Sequence, residues 1–200
     1  MNSRLTLISH GATDTQRRAS FPLDEPVLEH EIGKIGGLNW KMPSAAQVWS
    51  APEQRTQQTS RALRLGFKLA DELRDCDYGL WRGRTMDEVQ TEDQPGIIKW
   101  LNDPSAAPHG GESLENLLSR VGKWIQEQRA VKHTIAITHA AVIRAAVVYA
   151  LQVPAQTFWR IDIAPLTVTD LRFNNSAWTL RYSGCSLQKV TRGEEEEADT

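Results

Sequence analysis

Two segments of this chain, Arg4–Gly11 and His133–Ala140, follow the same pattern. Each is a short apolar run that closes on a hydroxyl residue, a histidine (His10 or His139) and a small residue. A run of this length, followed by helix-forming sequence, is typical of a buried parallel strand. In open α/β sheets the catalytic crevice lies beyond the carboxyl ends of such strands. If the two strands are neighbours, the two imidazoles face each other across the expected active site.

The composition is that of an ordinary globular domain. The 200 residues suffice to bury a core, and the net charge of −2 provides no basic surplus for nucleic acid. The two cysteines, Cys76 and Cys185, do not form a spaced pair, so neither a disulfide framework nor a metal site is expected. The longest apolar stretch, Ala140–Leu151, is too short to span a bilayer, and the first residues leave no room for a signal peptide. We therefore expect a cytoplasmic protein with no membrane partner.

The chain predicts one domain, residues 1–192, and an acidic tail, residues 193–200. The tail carries four consecutive glutamates and no apolar anchor, which is typical of a disordered segment. No low-complexity linker divides the rest of the chain. A homodimer is left open.

Strand signals alternate with helical patterns along the chain. Good helix formers run from Pro52 to Leu69, apolar residues recur at helical spacing from Ser113 to Ala130, and an alanine-rich helix is expected over Ala140–Leu151. Ser113 is a candidate N-cap. The alternation predicts an α/β fold, a three-layer α/β/α sandwich with a mostly parallel central sheet and an antiparallel edge. The strand signals fall at Leu5–Ser9, Gln47–Ser50, Thr134–Thr138, Ala164–Phe173 and Trp178–Tyr182.

Residues 73–112 interrupt this alternation. Five breakers in this region, Gly79, Gly83, Pro95, Pro104 and Pro108, indicate short helices joined by turns. An insertion of this kind is expected to cover the carboxyl edge of the sheet. It is therefore the predicted determinant of substrate specificity.

Polar residues at the expected sheet edge could carry chemistry. Either His10 or His139 alone is well explained as a structural histidine, but two of them in matching contexts favour a function. Arg55, on the first turn of a helix, is either a surface residue or a guanidinium that binds phosphate oxygens in pairs. Asp75 is either a turn former or a general acid held near a leaving group.

Small and aromatic residues complete this candidate site. Gly11 and Ala140 allow a close approach of backbone amides to an anion. Tyr78, Trp81 and Trp100 either pack in the core or favour a ring-bearing or apolar leaving group.

These motifs, taken in order, resemble the histidine phosphatase superfamily, the group of phosphoglycerate mutase. The resemblance is closer to the short bacterial branch that includes α-ribazole phosphatase-like enzymes, and it runs from Leu5 to about Tyr182. Each motif is weak alone, whereas five in the family's order strongly indicate the phosphoglycerate mutase-like fold. The five are His10-Gly11, the segment Ser50–Thr59, the loop that starts at Asp75, Gly-Gly-Glu-Ser at Gly110–Ser113, and Thr138–Arg144.

The resemblance implies a role for each matching residue. His10 would be the nucleophile that becomes a phosphohistidine. Arg55 and His139 would hold the phosphoryl oxygens, with Gly11 and Ala140 beside them. Asp75 would protonate the departing alcohol and then activate water. The resemblance thus implies a metal-independent phosphomonoester hydrolase, without a cofactor, that acts on a small phosphorylated metabolite.

The sequence departs from the family signature Arg-His-Gly, because Ser9 stands where the arginine binds phosphate. Loss of one preorganised charged donor should cost roughly 3 kcal/mol in transition-state stabilisation. Three explanations are open. A different arginine (Arg17, Arg18 or Arg82) could restore the charge, or Ser9 could select a less charged substrate. Alternatively, the protein could be a degenerate or repurposed member that binds a ligand or performs non-phosphatase chemistry. The chain retains residues for four of the five roles in the family's site, and this retention favours an active enzyme.

Overall fold

A six-stranded sheet forms the centre of the protein in the computed structural model, which describes residues 2–38, 40 and 46–187. β1, β2, β3 and β4 form a parallel set, and β5 and β6 add antiparallel strands at one edge. The predicted α/β fold with an antiparallel edge is therefore confirmed. The acidic tail predicted at 193–200 lies outside the described residues. The strands are β1 (Ser3–Ser9), β2 (Gln47–Ser50), β3 (Lys68–Leu69), β4 (His133–Thr138), β5 (Thr167–Asn174) and β6 (Ala177–Ser186), in the order β3-β2-β4-β1-β5-β6.

The two strands that end in histidine are direct neighbours. β1 and β4 pair in parallel, with Ser9 opposite Thr138. The backbone N–H of His10 continues the ladder by donating to the carbonyl of Thr138 at 3.1 Å. The carboxyl ends of both strands therefore place His10 and His139 at the same edge of the sheet, as the sequence predicts.

Seven α-helices are assigned in the described part of the chain, and the longer ones flank the sheet. Ser113 is the N-cap of α6, because its hydroxyl accepts a hydrogen bond from the N–H of Asn116 at 3.2 Å. The helices are α1 (Asp14–Arg17), α2 (Glu29–Gly36), α3 (Gln54–Ala62), α4 (Met86–Glu92), α5 (Gln94–Asn102), α6 (Leu114–Glu127) and α7 (Ala140–Leu151). Short 3₁₀ helices cover Asp71–Leu73, Gly79–Trp81, Gln128–Ala130 and Ala155–Arg160.

Each face of the sheet buries its own core, because alternate residues of a strand point to opposite faces. Leu5 and Leu7 belong to the core shared with α6 and α7. Ile8, Ile135 and Ile137 belong to the opposite core, with residues of α2 and the end of α3. Helices on both faces make this a three-layer sandwich.

Two element boundaries differ from the sequence prediction. The helix expected over Pro52–Leu69 ends at Ala62, and Arg64 turns the chain with a left-handed φ of 58°. This turn lets Lys68–Leu69 pair with β2 as β3. The residue at the turn is an arginine, and Gly66, the helix-stop signal of this connection, follows two residues later. The strand predicted over Ala164–Phe173 in the antiparallel edge begins later, at Thr167, because the preceding loop bonds to the end of β1.

The segment 73–112 holds α4, α5 and one short 3₁₀ helix. It buries a separate apolar cluster of Phe21, Trp81, Val89, Ile97 and Trp100. Tyr78 and Trp159 pack against both this cluster and the core shared with α6 and α7, so the segment is joined to the body of the domain. Among the described residues, every helix is too short or too polar to cross a bilayer.

Candidate active site

His10 presents one free nitrogen at the end of β1. Its Nδ1–H donates to the carbonyl of Gly11 at 2.8 Å, which leaves the lone pair on Nε2, an atom with no hydrogen bond to the described residues. Burial, followed by repulsion from His139 and Arg55, lowers the pKa of His10 from 6.5 to about 3. The imidazole is therefore neutral at physiological pH, and Nε2 can act as a nucleophile.

His139 is buried at the end of β4, and both of its nitrogens are engaged. Its ring meets that of His10 edge-on, with centroids 5.2 Å apart. Nε2 lies 2.8 Å from Oε2 of Glu53, and Nδ1 accepts a hydrogen bond from Nε of Arg55 at 3.3 Å. His139 is also the N-cap residue of α7, so the unpaired backbone amides from Ala140 onward lie beside it.

Arg55 is the only guanidinium in direct contact with these groups in the described structure, and only 1% of its surface is exposed. It lies in the first turn of α3, which starts at the carboxyl end of β2. Nη1 donates to the carbonyl of Leu23 at 2.6 Å, and Nη2 donates to Asp75 at 2.8 Å. The carboxylate of Glu25 lies 3.7 Å from Nη1. These contacts hold the side chain in one orientation at the sheet edge.

Asp75 faces the same guanidinium. Its Oδ2 lies 3.4 Å from Nδ1 of His139, and its Oδ1 accepts the N–H of Cys76 at 2.9 Å. Burial alone would raise the pKa of Asp75, but interactions with His139, Arg55 and His10 hold that pKa below its ordinary value. The carboxylate is therefore ionised at neutral pH while no substrate is bound.

Glu53 joins His139 to Asp75, a contact that the sequence analysis missed. Besides its bond with His139, its Oε1 accepts the backbone N–H of Asp75 at 3.0 Å. Burial opposes ionisation of Glu53, but the hydrogen bond and attraction to His139 outweigh it and lower the pKa to about 2. The residue follows Pro52 within the Ser50–Thr59 motif, but its partner lies 86 positions away, so no local pattern reveals the contact.

A bidentate ion pair anchors the loop that carries Asp75. Nε and Nη2 of Arg120 donate to the two carboxylate oxygens of Glu112 at 2.8 and 2.6 Å. Nη1 of Arg120 also donates to the carbonyls of Glu72 and Arg74, at 2.6 and 3.0 Å. Glu112 belongs to the Gly-Gly-Glu-Ser motif, so this motif helps to hold the loop that carries Asp75 in place. Arg120 was not identified from the sequence, because its spacing on α6 is that of an ordinary surface arginine.

Two glycines allow this motif to cross the Asp75 loop. A Cβ at Gly79, whose φ is +46°, would lie 2.1 Å from the carbonyl oxygen of His109. A Cβ at Gly111 would lie 2.1 Å from the carbonyl oxygen of Asp77. No side chain fits at either crossing, so the two motifs depend on each other for their geometry.

Ser9 and Gly11 make structural bonds rather than pocket contacts. The buried hydroxyl of Ser9 donates to the carbonyl of Ala164 at 2.6 Å and accepts the N–H of Thr167 at 3.0 Å. The N–H of Gly11 donates to the hydroxyl of Thr59 at 3.0 Å. The hydroxyl of Ser9 therefore holds the loop before β5 against the end of β1, and the amide of Gly11 holds α3 there.

The three arginines considered as replacements for the signature arginine lie at the surface. Arg17 and Arg82 are exposed, and Arg18 lies 3.7 Å from the carboxylate of Asp14. None of the three bonds to His10 or Arg55 in the part of the chain that the structure describes. The structure instead places two carboxylates beside Arg55, those of Glu25 and Asp75, and a third, that of Glu53, against the neighbouring His139. Their charges make the pocket more acidic than the sequence motifs imply.

The side chains brought together here do not form a metal centre. Over residues 2–38, 40 and 46–187, no group of three or more His, Cys, Asp or Glu side chains has a metal-binding arrangement. The arrangement instead combines a neutral nucleophile, one fixed guanidinium and a carboxylate next to both. Such a set can transfer an electrophilic group to nitrogen and return a proton to the leaving group.

Comparison with known proteins identifies the architecture. The model of the histidine phosphatase superfamily (branch 1) matches residues 5–186. The bifunctional protein Rv2228c of Mycobacterium tuberculosis is 30% identical over 183 residues, which are 84% of this chain and 50% of that relative. The chain thus spans about half the length of the first curated relatives it matches.

Two solved structures show the same fold. The mycobacterial glucosyl-3-phosphoglycerate phosphatase Rv2419c in complex with VO3 has a TM-score of 0.80 and 22% identity, over 92% of this chain and 100% of that one. The α-ribazole phosphatase from Shigella flexneri has a TM-score of 0.76 and 22% identity, over 90% and 96% of the two chains. These structures share the fold of this chain.

Proposed function

The chain belongs to the histidine phosphatase superfamily (branch 1), and we propose that it hydrolyses phosphomonoesters of a small metabolite through a phosphohistidine at His10. One observation carries the proposal. The imidazole of His10 is buried, neutral and anchored through Nδ1, its Nε2 has no hydrogen bond to the described residues, and His139 and Arg55 are close enough to lower its pKa. A nitrogen held in this way needs no general base before it attacks phosphorus.

The first step transfers the phosphoryl group to the protein. Nε2 of His10 forms a bond to phosphorus while the bond from phosphorus to the alcohol oxygen breaks. Arg55 and His139 stabilise the charge on the transferred oxygens, and the first amides of α7 lie beside them. The alcohol leaves with a proton from Asp75.

Asp75 must gain that proton after substrate binds, because its pKa is low in the free protein. A phosphate that contacts Arg55 competes for the Nη2 now bound to Asp75 and adds negative charge beside the carboxylate. Both changes raise the pKa of Asp75. A phosphomonoester that enters as its monoanion supplies the proton. In the second step Asp75 takes a proton from water, which attacks phosphohistidine, releases phosphate and restores His10.

The relatives support the substrate class. Their names describe phosphatases of glucosyl-3-phosphoglycerate and of α-ribazole phosphate, both small phosphorylated molecules. The identities are low, so the particular substrate does not transfer from any of them. We therefore extend only the shared chemistry, a phosphate ester of a small alcohol, to this chain.

A second candidate function follows from the charge of the pocket. Two carboxylates lie beside the guanidinium of Arg55 and a third contacts His139, while the hydroxyl of Ser9 is bonded to the loop before β5. Such a pocket attracts a phosphate dianion less strongly than two arginines would. In this alternative the protein is a repurposed member that binds a less charged ligand, or performs other chemistry, without phosphate release.

Phosphate release from a panel of aryl and alkyl phosphomonoesters between pH 5 and 8 tests the proposal. We expect turnover by the native protein, a loss on the order of 10⁴-fold in His10→Ala, and native activity in the exposed-histidine control His30→Ala. Quenching in alkaline denaturant during turnover should also trap an acid-labile, base-stable phosphoryl group on the native protein and on His30→Ala, but not on His10→Ala. Absence of turnover across the panel, together with tight binding of uncharged analogues, would instead establish the second candidate.

A further inference from the structure

Arg144 is a cation without a counter-charge near the candidate site. It lies on α7 one turn after Ala140, so the two residues share a helix face. Long helical side chains lean back toward the helix N-terminus, which here is the end that carries His139. In the described chain Arg144 makes no ion pair or hydrogen bond, and its Nε is buried without a partner. Burial of a charged donor without a partner is costly, which indicates that an absent group completes its contacts.

A wall of aromatic rings connects Arg144 to the Asp75 loop. The guanidinium carbon of Arg144 lies 5.7 Å from the ring centroid of Phe158. Phe158 contacts Trp159, and Trp159 contacts Trp100, with centroid distances of 4.8 and 4.5 Å. Trp100 in turn lies 6.2 Å from Tyr78, three residues after Asp75. The wall therefore runs from the proposed proton donor to the unpaired cation.

Electrostatics place these groups around the same space. Burial, with repulsion from Cys76 and Asp75, raises the pKa of Tyr78 well above its ordinary value, and Arg144 and Arg55 oppose that rise. The phenol thus lies within range of Asp75, Arg55 and Arg144 at once.

We propose that Arg144 binds a carboxylate on the leaving-group half of the substrate, next to an apolar or ring-shaped body that packs against Tyr78 and Trp159, the two partly exposed rings of the aromatic wall. This inference rests on the proposed function and adds the substrate class to it. The carboxylate would restore the missing counter-charge of Arg144 and satisfy its buried Nε. Because the pocket around Arg55 is acidic, recognition of the second charge at Arg144 also compensates for the weak attraction of the phosphate.

Two matched esters test the inference, 4-carboxyphenyl phosphate and its neutral isostere 4-carbamoylphenyl phosphate. We expect the native protein to favour the carboxylate in kcat/KM by about tenfold to a hundredfold, the range for a hydrogen bond to a charged group. Arg144→Gln should bring the ratio of the two kcat/KM values close to one, and Arg144→Lys should keep part of the preference. Arg160→Gln, which removes an exposed arginine from the end of the Phe158 helix, should keep the native ratio.

Each contrary result has a defined meaning. Equal kcat/KM values for the two esters in the native protein, or an equal loss for both in Arg144→Gln, would overturn the inference and leave Arg144 a structural residue. If neither ester is hydrolysed, the proposed function fails instead. Calorimetric affinities of the two esters for the native protein and Arg144→Lys then decide the inference separately, since equal affinities in the native protein would reject it.

Discussion

The two strand ends are neighbours in a parallel pair, but the surroundings of their histidines differ. At the end of β1, His10 bonds only to its neighbouring carbonyl and keeps Nε2 open. At the end of β4, His139 is held from both sides, by Glu53 and by Arg55. An open, neutral imidazole can form a covalent bond, whereas one fixed at both nitrogens can only orient and stabilise charge.

This division of roles comes from a third element. α3 supplies Arg55 in its first turn, and Glu53 is its N-cap residue, so one helix end holds His139 and leaves His10 free. The strand pair provides two equivalent positions, and α3 makes them different. A repeated motif in a sheet therefore does not imply a repeated function, because the flanking element decides which nitrogen stays available.

The largest expected effect concerns the neutral state of His10. The pKa of His10 is about 3 in the folded protein, whereas its ordinary value is 6.5. Between these two pH values the unfolded chain therefore binds a proton at this residue and the folded chain does not. The stability of the native protein should fall as the pH drops from 6.5 toward 3, by about 5 kcal/mol at most from this residue. His10→Gln should remove that part of the loss, as measured by urea unfolding at each pH.

The control for this experiment separates His10 from other buried histidines. The pKa of His133 is also lowered, to about 4, by burial and then by Arg4, so the native curve contains its contribution as well. The measured quantity is therefore the difference in free energy of unfolding between His10→Gln and the native protein at each pH. His30→Gln is the surface control. Parallel curves for His10→Gln and the native protein would contradict a neutral buried His10.

A smaller effect is expected at Glu53, which distinguishes His139 from His10. The carboxylate accepts from both His139 and the N–H of Asp75, whereas an amide offers one oxygen only. Glu53→Gln should lower kcat about tenfold, because one donor loses its partner and the geometry relaxes. The same change removes a negative charge beside the phosphate, so KM should fall. Steady-state kinetics on a phosphomonoester measure kcat and KM, with Glu29→Gln as the surface control. A rise in KM with unchanged kcat would show that Glu53 binds substrate instead.

The sequence predicts the framework of this protein better than its contacts. The β1 and β4 signals, α7 and the Ser113 cap follow local patterns, and the structure confirms them. β3 was missed because it has two exposed residues and depends on pairing with β2. Strand pairing of that kind is a tertiary property, which no local period reveals.

The candidate site shows the same limit at the level of side chains. His10, Arg55, Asp75 and His139 meet as the motifs predict. Glu53, however, binds a partner 86 residues away, which no spacing rule connects. The sequence also identifies Ser9 as a departure without showing what its hydroxyl does, because the bond to Ala164 depends on how the loop before β5 folds.

The smallest expected effect compares the hydroxyls that precede the two histidines. Ser9 donates to Ala164, and Thr138 donates to Leu73 at 2.7 Å. Ser9→Ala removes the acceptor of the buried N–H of Thr167, and Thr138→Val removes the hydroxyl donor to the carbonyl of Leu73. Each change should cost about 1–2 kcal/mol of stability and lower Tm by a few degrees. Their kinetics should differ: Leu73 lies two residues before Asp75, so Thr138→Val should lower kcat severalfold, whereas Ser9→Ala should change it less than twofold. A fall in kcat for Ser9→Ala alone would place that hydroxyl in the reaction rather than in the loop before β5.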